Sequence, residues 1–293
     1  MRWRTGRHSD NVEDRRGERS SMPMGLGGGR LGGAGLIAAV LLALVLGVDP
    51  TVLIQGIPSG SLPGSAPETT SPPGPRPAAE DELAQFVSVV LADTEDTGHT
   101  LFRQSGRTYE EPKLVLFSGV VHSACGFAQA AMGPFYCPGD QKVYIDLAFY
   151  DEMRSRFRAP GDFAQAYVVA HEVGHHVQNL LGISDKVQSL RRQVDEVEGN
   201  RLSVKLELQA DCLAGVWAHH ADRARQVLEA GDVEEALGAA SAIGDDRLHR
   251  QSQGHVTPDS FTHGSSAQRV RWFKRGMEQG KLAGCDTFGA GQL

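Results

Sequence analysis

Two histidines four positions apart flank a glutamate in the stretch HEVGH, as His171, Glu172 and His175. On an α-helix, side chains at i and i+4 lie one above the other, so both imidazoles can bind one metal ion. Glu172 is rotated by about 100° from His171, which places it beside an open coordination position rather than among the ligands. This arrangement is typical of zinc sites in which a glutamate moves a proton from a metal-activated water to a leaving amine. The sequence therefore predicts a catalytic zinc site.

A catalytic zinc ion needs a third protein ligand, and a second apolar stretch offers Glu207. A lone buried carboxylate is costly, and a bound cation would stabilise it. Asp211 lies four residues after Glu207 on the same helical face, where it can accept the second ring N–H of a ligand histidine and fix its tautomer. We therefore predict His171, His175 and Glu207 as metal ligands, with Asp211 behind them.

Two further histidines lie in informative positions. His176 points away from the ligand face of the helix, so we expect it to support the fold rather than to bind metal. His263 begins the stretch HGSSAQRVRWFKRG, a loop that runs into a predicted helix with Arg269 and Arg271. A histidine or an arginine there could stabilise the oxyanion of a tetrahedral intermediate, and a structural role for the segment is the alternative.

The elements that must position these residues follow from hydrophobic spacing. Residues 163–181 contain no proline, are apolar on most of their surface and are followed by Gly182, which predicts a buried helix. Residues 200–219 predict the second helix, and a first helix begins near Asp81. Two strand-like runs, 113–117 and 143–147, come between the first helix and the HEVGH helix. The fold class is therefore α+β, mainly helical with a small sheet.

The strand of residues 143–147 has a possible functional role because it precedes the HEVGH helix. An exposed edge strand can bind an extended peptide as an additional strand. An interior position in the sheet is the alternative.

The chain divides into four parts. Residues 1–30 carry seven arginines and no apolar periodicity, which predicts a mobile basic tail in the cytoplasm. Residues 31–48 are uncharged and almost long enough to cross a bilayer, so they predict an uncleaved transmembrane helix with the N-terminus inside and the rest outside. A cleaved signal peptide is the alternative. Residues 49–80, rich in Pro, Gly, Ser and Thr, predict a disordered linker, and residues 81–293 predict the catalytic domain.

Charge and cysteine content exclude some classes of protein and leave others open. The net charge of −7 over 293 residues gives no basic face for nucleic acid. Four cysteines, at positions 125, 137, 212 and 285, form no CxxC pair. A local bridge between Cys125 and Cys137 across a short loop would leave Cys212 with Cys285. Buried free thiols are the alternative.

Long blocks of this sequence resemble the bacterial family of neutral zinc metallopeptidases. The resemblance covers nearly everything outside the linker and is carried by the blocks MRWRTGRHSDNVEDRRG, CGFAQAAMGPFYCPGD, VYIDLAFYDEM, GDFAQAYVVAHEVGHHVQ, LELQADCLAGVWA, GDDRLHRQSQG and PDSFTHGSSAQRVRWFKRG. One departure is Gly98 in the stretch TEDTG, where the family leads us to expect Trp.

The resemblance implies a zincin-like, gluzincin-type fold with a single membrane anchor in the cytoplasmic membrane. It implies Zn²⁺ bound by His171, His175 and Glu207, with Glu172 as the catalytic acid and base. The stretch THGSSAQR is also similar to a histidine motif of integral-membrane zinc endopeptidases, where the histidine lies near the substrate, which supports His263 by analogy. The expected partner is a peptide or protein substrate, and the oligomeric state is open.

Two other functions remain compatible with the sequence. One is a catalytically silent membrane protein that keeps a zinc site to bind a partner. Glu172 argues against this possibility, because a structural zinc site has no use for a carboxylate beside an open position. The other is a zinc amidohydrolase that acts on a non-protein substrate, which a closed pocket would favour over an extended cleft.

Overall fold

The computed structural model describes residues 1–18, 78–129, 133–291 and 293. Residues 1–18 and the described residues from 78 onward belong to one compact unit. The anchor predicted at residues 31–48 and nearly all of the predicted linker lie outside the described residues. Within the described ranges, no helix is both long enough and apolar enough to span a bilayer.

The secondary structure is α+β and mainly helical. The strands are β1 (Val12–Asp14), β2 (Lys113–Phe117), β3 (Val120–Ser123), β4 (Gly126–Gln129), β5 (Phe135–Cys137) and β6 (Lys142–Asp146). The helices are α1 (Ala78–Gln104), α2 (Ala148–Ser155), α3 (Asp162–Leu180), α4 (Ile183–Arg191), α5 (Glu196–Arg225), α6 (Asp232–Ala242), α7 (Asp245–Gln253) and α8 (Ser266–Gln279), with short 3₁₀ turns at Pro258–Ser260 and Leu282–Cys285.

The main sheet has the strand order β1-β2-β6-β5, and β3 and β4 form a separate hairpin. Strand β6 pairs in parallel with β2 and antiparallel with β5, so it is an interior strand. The strand predicted at 143–147 is therefore not the exposed edge. Its side chains from Val143 to Ile145 are buried, as expected for a strand with neighbours on both sides. The free edge on this side of the sheet is β5.

The N-terminal residues differ from the mobile tail that we expected. Residues 12–14 form β1, which pairs in parallel with β2. Trp3 contacts the ring of Phe86 on α1, edge to face. The segment has no apolar periodicity because ion pairs and hydrogen bonds, rather than a buried hydrophobic face, hold most of it in place. The prediction of a mobile tail is therefore wrong for residues 1–18.

The HEVGH helix, α3, lies in the centre of the unit. Almost all of its residues are buried, and it packs against α1, α5 and α6. It begins after Gly161, whose φ of 114° is accessible to glycine at little cost, and Asp162 places a carboxylate in the first turn. Gly182, with a φ of 72°, follows its last turn. The helix thus has nearly the bounds that the sequence predicts.

Small residues allow the helices around the site to approach closely. A Cβ atom on Gly174 would lie 3.0 Å from the carbonyl oxygen of Ala210, so α3 and α5 nearly touch at this point. Gly215 faces α8 rather than α3, since a Cβ atom there would lie 2.1 Å from the carbonyl oxygen of Phe273. The small residues of α5 therefore serve two interfaces, one with α3 and one with α8.

All four cysteines form disulfides. Cys125, in the turn between β3 and β4, pairs with Cys137 of β5, and Cys212 of α5 pairs with Cys285 near the C-terminus. Gly98 lies against the ring of Tyr109, where a Cβ atom would be 2.5 Å from the nearest ring carbon. The space beside Gly98, where a Trp was expected, is thus occupied by the ring of Tyr109.

Candidate metal centre

Helices α3 and α5 bring His171, His175 and Glu207 together. The Nε2 atom of His171 lies 3.2 Å from one carboxylate oxygen of Glu207, and the Nε2 atom of His175 lies 3.4 Å from the other. The two imidazole rings are perpendicular, with centroids 4.8 Å apart. All three residues that the sequence predicts as ligands therefore present donor atoms to one point.

The spacing of these donor atoms fits a zinc ion. A tetrahedral zinc ion with bonds of about 2.0–2.1 Å holds its ligand atoms about 3.3–3.4 Å apart. The two nitrogen-to-oxygen distances, 3.2 Å to one Glu207 oxygen and 3.4 Å to the other, are of this size, and one donor atom of each residue lies within 4.8 Å of the other two. Two imidazole nitrogens and one carboxylate are also a donor set typical of catalytic zinc sites, which leave the fourth position open.

The electrostatics of the site favour a cation. Burial alone would lower the pKa of His171, but the charge of Asp211 and hydrogen bonds to Asp211 and Glu207 raise it to about 10. Burial alone would raise the pKa of Glu207, but the two facing histidines bring it well below its usual range. The ionised carboxylates of Glu207 and Asp211 therefore favour a positive charge at His171, and a bound metal ion would supply such a charge.

Asp211 supports His171 from behind. It is fully buried, and one of its oxygens lies 2.9 Å from Nδ1 of His171. Because a carboxylate only accepts hydrogen bonds, Nδ1 carries the proton and Nε2 is left free to bind metal. Arg269 donates two hydrogen bonds of 2.9 Å to Asp211, and the hydroxyl of Tyr167 donates a third. The geometry is the one that the i+4 spacing of Glu207 and Asp211 predicts.

His175 has a different support. Its Nδ1 atom lies 2.9 Å from the side-chain oxygen of Gln178, one turn further along α3. The amide nitrogen of Gln178 donates to the carbonyl of Leu206, the residue before Glu207. Gln178 therefore ties the second ligand histidine to the helix that carries the third ligand. Gln178 is not among the site residues predicted from the sequence, although its i+3 spacing from His175 indicates that the two side chains are neighbours.

Glu172 lies beside the ligands, as its position in HEVGH predicts. Its side chain lines a cleft of about 650 Å³ that also contains the three ligand residues. One wall of the cleft is formed by Phe135 of the edge strand β5 and by Pro134, which precedes the strand. Glu172 is therefore close to the predicted open coordination position and to a strand edge that can accept an extended chain.

His263 lies at the rim of the same cleft, with its side chain about half exposed. Its Nδ1 atom lies 3.2 Å from Asp245, and the backbone amides of residues 262, 263 and 264 donate to the other oxygen of Asp245. The hydrogen bond to Asp245 raises the pKa of His263, and the charge of Glu207 also contributes. Asp245, which the sequence analysis did not single out, holds both the loop and the ring.

The two arginines near His263 have other roles. Arg269 is almost fully buried, and its two ion-pairing nitrogens bind Asp211. Arg271 is exposed and is not among the residues that line the cleft. Of these three side chains, only that of His263 is both exposed and located at the cleft.

His176 supports the edge strand. Its Nε2 atom donates to the carbonyl of Glu110 at 2.7 Å, so Nδ1 accepts a hydrogen bond from the hydroxyl of Tyr136 at 3.0 Å. The side chain of Asn179 donates to the same hydroxyl at 3.1 Å. Strand β5, which contains Tyr136, is thus connected directly to the helix of the metal ligands. The structure places His176 away from the ligand point, as its helical position predicts.

Comparison with known proteins gives the same family over the whole chain. A profile described as "Putative neutral zinc metallopeptidase" matches residues 1–288. The chain is 55% identical over 293 residues to "Uncharacterized protein YpfJ" of Escherichia coli K12, with 99% of each chain covered. It is 38% identical over 261 residues to "Uncharacterized protein Rv2575" of Mycobacterium tuberculosis H37Rv, with 86% of each covered. No solved structure gives a significant match. The chain therefore belongs to the neutral zinc metallopeptidase family.

Proposed function

We propose that this protein is a zinc-dependent peptidase that hydrolyses peptide bonds with Glu172 as general base. The observation that carries the proposal is the convergence of His171, His175 and Glu207, whose donor atoms lie within 4.8 Å of one another, with Glu172 beside them in an open cleft. A structural zinc site would have no need of that cleft or of the additional carboxylate.

Different residues have different roles in the proposed reaction. Zinc, when bound, polarises the attacking water and the scissile carbonyl. Glu172 accepts a proton from the attacking water and returns it to the leaving amine. His263, held by Asp245 at the rim of the cleft, donates a hydrogen bond to the oxyanion that develops on the carbonyl. Asp211 and Gln178 keep the two ligand histidines in the tautomer that presents Nε2.

The shape of the cleft supports a peptide substrate rather than a small molecule. Strand β5 is the free edge of the main sheet and borders the cleft, so an extended peptide can pair with it as an additional strand. The cleft also contains apolar side chains that can receive those of a peptide, among them Phe149, Phe157 and Val187. These features favour a peptidase over the amidohydrolase alternative.

We further propose that the peptidase unit is held at the cytoplasmic membrane by the apolar residues 31–48 and works outside the cytoplasm. The length and lack of charge of that run support the anchor. The two disulfides support an oxidising compartment, because cytoplasmic thiols are normally kept reduced.

The test of the catalytic proposal is Glu172→Gln in the full-length protein. The variant should retain zinc and lose about 10²–10⁴-fold in the rate of cleavage of a mixed library of quenched peptides, because it lacks the general base. Glu278→Gln, at an exposed carboxylate of α8 that is not among the residues lining the cleft, is the matched control and should cleave at the wild-type rate. Equal rates for wild type and Glu172→Gln would refute the mechanism. A wild-type protein that binds zinc but cleaves no peptide would favour the binding-module alternative.

A further inference from the structure

The segment before the apolar run and the domain after it form a single folded unit. Strand β1 pairs with β2 from Val12 opposite Leu114 to Asp14 opposite Leu116. The backbone amide of Ser9 donates to both the carbonyl and the hydroxyl oxygen of Ser88 on α1. Residues 1–18 thus contribute a strand to the main sheet and pack against α1.

The contact between the two parts contains a buried charge that the N-terminal segment neutralises. Glu95 of α1 is only 1% exposed. Its carboxylate accepts hydrogen bonds from Arg7 at 2.8 Å, from the hydroxyl of Ser9 and from the side-chain amide of Asn11 at 3.0 Å. Residues 7–11 both cover Glu95 and supply the three groups that bind its carboxylate. The segment and α1 are therefore parts of one folded unit.

The arginines of this segment are largely neutralised within the unit. Arg7 pairs with Glu95 and Asp96, Arg15 pairs with Glu13, and Arg16 pairs with Asp14. Five arginines among residues 1–18 stand against four acidic residues. The positive-inside rule depends on basic residues that flank a membrane segment. That rule counts Lys and Arg and gives little weight to Asp and Glu, so by itself it favours a cytoplasmic N-terminus, whereas the contacts with residues 78–293 favour the same side as the domain.

We infer that residues 1–18 lie on the same side of the membrane as residues 78–293, outside the cytoplasm. The pairing of β1 with β2 and the contacts of the N-terminal segment with Glu95 require both parts in one compartment, and the disulfides assign that compartment to an oxidising environment. The chain between residues 18 and 78 then begins and ends in the same compartment. The apolar residues 31–48 would then hold the protein at the membrane without a single crossing, because a single crossing would place residues 18 and 78 on opposite sides. This arrangement replaces the single-pass anchor with a cytoplasmic N-terminus, and it does not depend on peptidase activity.

The test is cysteine labelling of the full-length protein in spheroplasts of a bacterial expression host. Asp10→Cys reports on the N-terminal segment and Glu278→Cys on α8, and both positions are exposed. The four native cysteines are paired, so each variant carries one free thiol. A membrane-impermeant maleimide should label both variants to the same extent before lysis, and a cytoplasmic marker protein should be labelled only after lysis.

Thr5→Cys, at a second exposed position of the segment, repeats the measurement independently, and an unchanged zinc content shows that each variant is folded. The inference is overturned if Glu278→Cys is labelled in intact spheroplasts while Asp10→Cys and Thr5→Cys are labelled only after lysis. Labelling of all three variants only after lysis also overturns it, because the unit would then lie in the cytoplasm.

Discussion

The two ligand histidines present the same ring nitrogen but are held by unlike partners. Asp211 holds His171 and is itself paired with the buried Arg269, whereas the neutral Gln178 holds His175. Both partners fix a tautomer, but only Asp211 also balances a buried charge. The two supports should therefore affect metal binding similarly and stability differently.

Asp211→Asn and Gln178→Met separate these two effects. Each variant should weaken zinc binding by about 10–100-fold, because a ligand histidine loses the partner that orients it. Asp211→Asn should also destabilise the metal-free protein by about 3–5 kcal/mol, because it leaves Arg269 buried without a countercharge. Chelator competition measures the affinity, and urea unfolding of the metal-free proteins measures the stability. Equal stability of the two variants would contradict the role given to the Arg269 pair.

The Asp245 carboxylate gives a pH-dependent prediction. Burial alone would raise its pKa, but the hydrogen bonds from His263 and the loop amides outweigh this effect and lower it. A carboxyl group whose pKa is lowered by folding stabilises the protein at neutral pH, and this contribution is lost as the pH falls through the folded-state pKa. Asp245→Asn should therefore be less stable than wild type at pH 7.

The stability difference between wild type and Asp245→Asn should shrink as the pH falls below 3.8, the ordinary carboxyl value. Urea unfolding of both metal-free proteins across this range is the measurement. Asp259→Asn, at an exposed carboxylate in the same part of the chain, is the control and should show little difference from wild type at any pH. A difference for Asp245→Asn that does not change with pH would show that the loop does not depend on the ionised carboxylate.

At the scale of elements, the close crossing of α5 and α8 brings Arg269 to Asp211. A Cβ atom on Gly276 of α8 would lie 1.9 Å from the carbonyl oxygen of Cys212 on α5. Real Cβ atoms do not approach backbone this closely, so any larger residue at 276 must push the helices apart. The contact of Arg269 with Asp211 therefore depends on Gly276, two helical turns further along α8.

Gly276→Ala should destabilise the protein by about 1–3 kcal/mol or more, because overpacking forces a backbone shift. It should also weaken zinc binding, since the shift moves Arg269 away from Asp211. The matched control is Gly238→Ala in α6, where an added Cβ atom meets no other atom within 4 Å. That control should be neutral or stabilising by up to about 1 kcal/mol, because alanine favours the helix. Thermal unfolding compares the two, and equal effects would contradict the close crossing.

For the whole molecule, the sequence predicts most of the residues of the candidate metal site but only some of the strands and loops around it. The HEVGH helix was predicted at 163–181 and observed at Asp162–Leu180, because apolar spacing and a following glycine define it. Glu207 was found through the cost of an isolated buried carboxylate. Both inferences depend on local patterns that a single helix carries.

The parts that the sequence analysis missed depend on distant contacts. Strand β1 and the residues beside it form charge pairs with residues 65 to 129 positions away, which leave no periodic signal in a short arginine-rich segment. Strand β5 has only three residues, too few for an alternating pattern. Asp245 acts on a loop 17 to 19 residues downstream, which local spacing could not reveal. These features become visible only when the helices are assembled.

The measurement that tests the account most directly is the zinc content of the purified full-length protein by elemental analysis. We expect one zinc ion per chain in wild type and sharply weakened binding in Glu207→Ala, because that variant removes one of three converging ligands. Glu152→Ala, on the rim of the cleft, should keep its zinc. A wild type without zinc, or a zinc content that does not respond to Glu207→Ala, would contradict the three-ligand site.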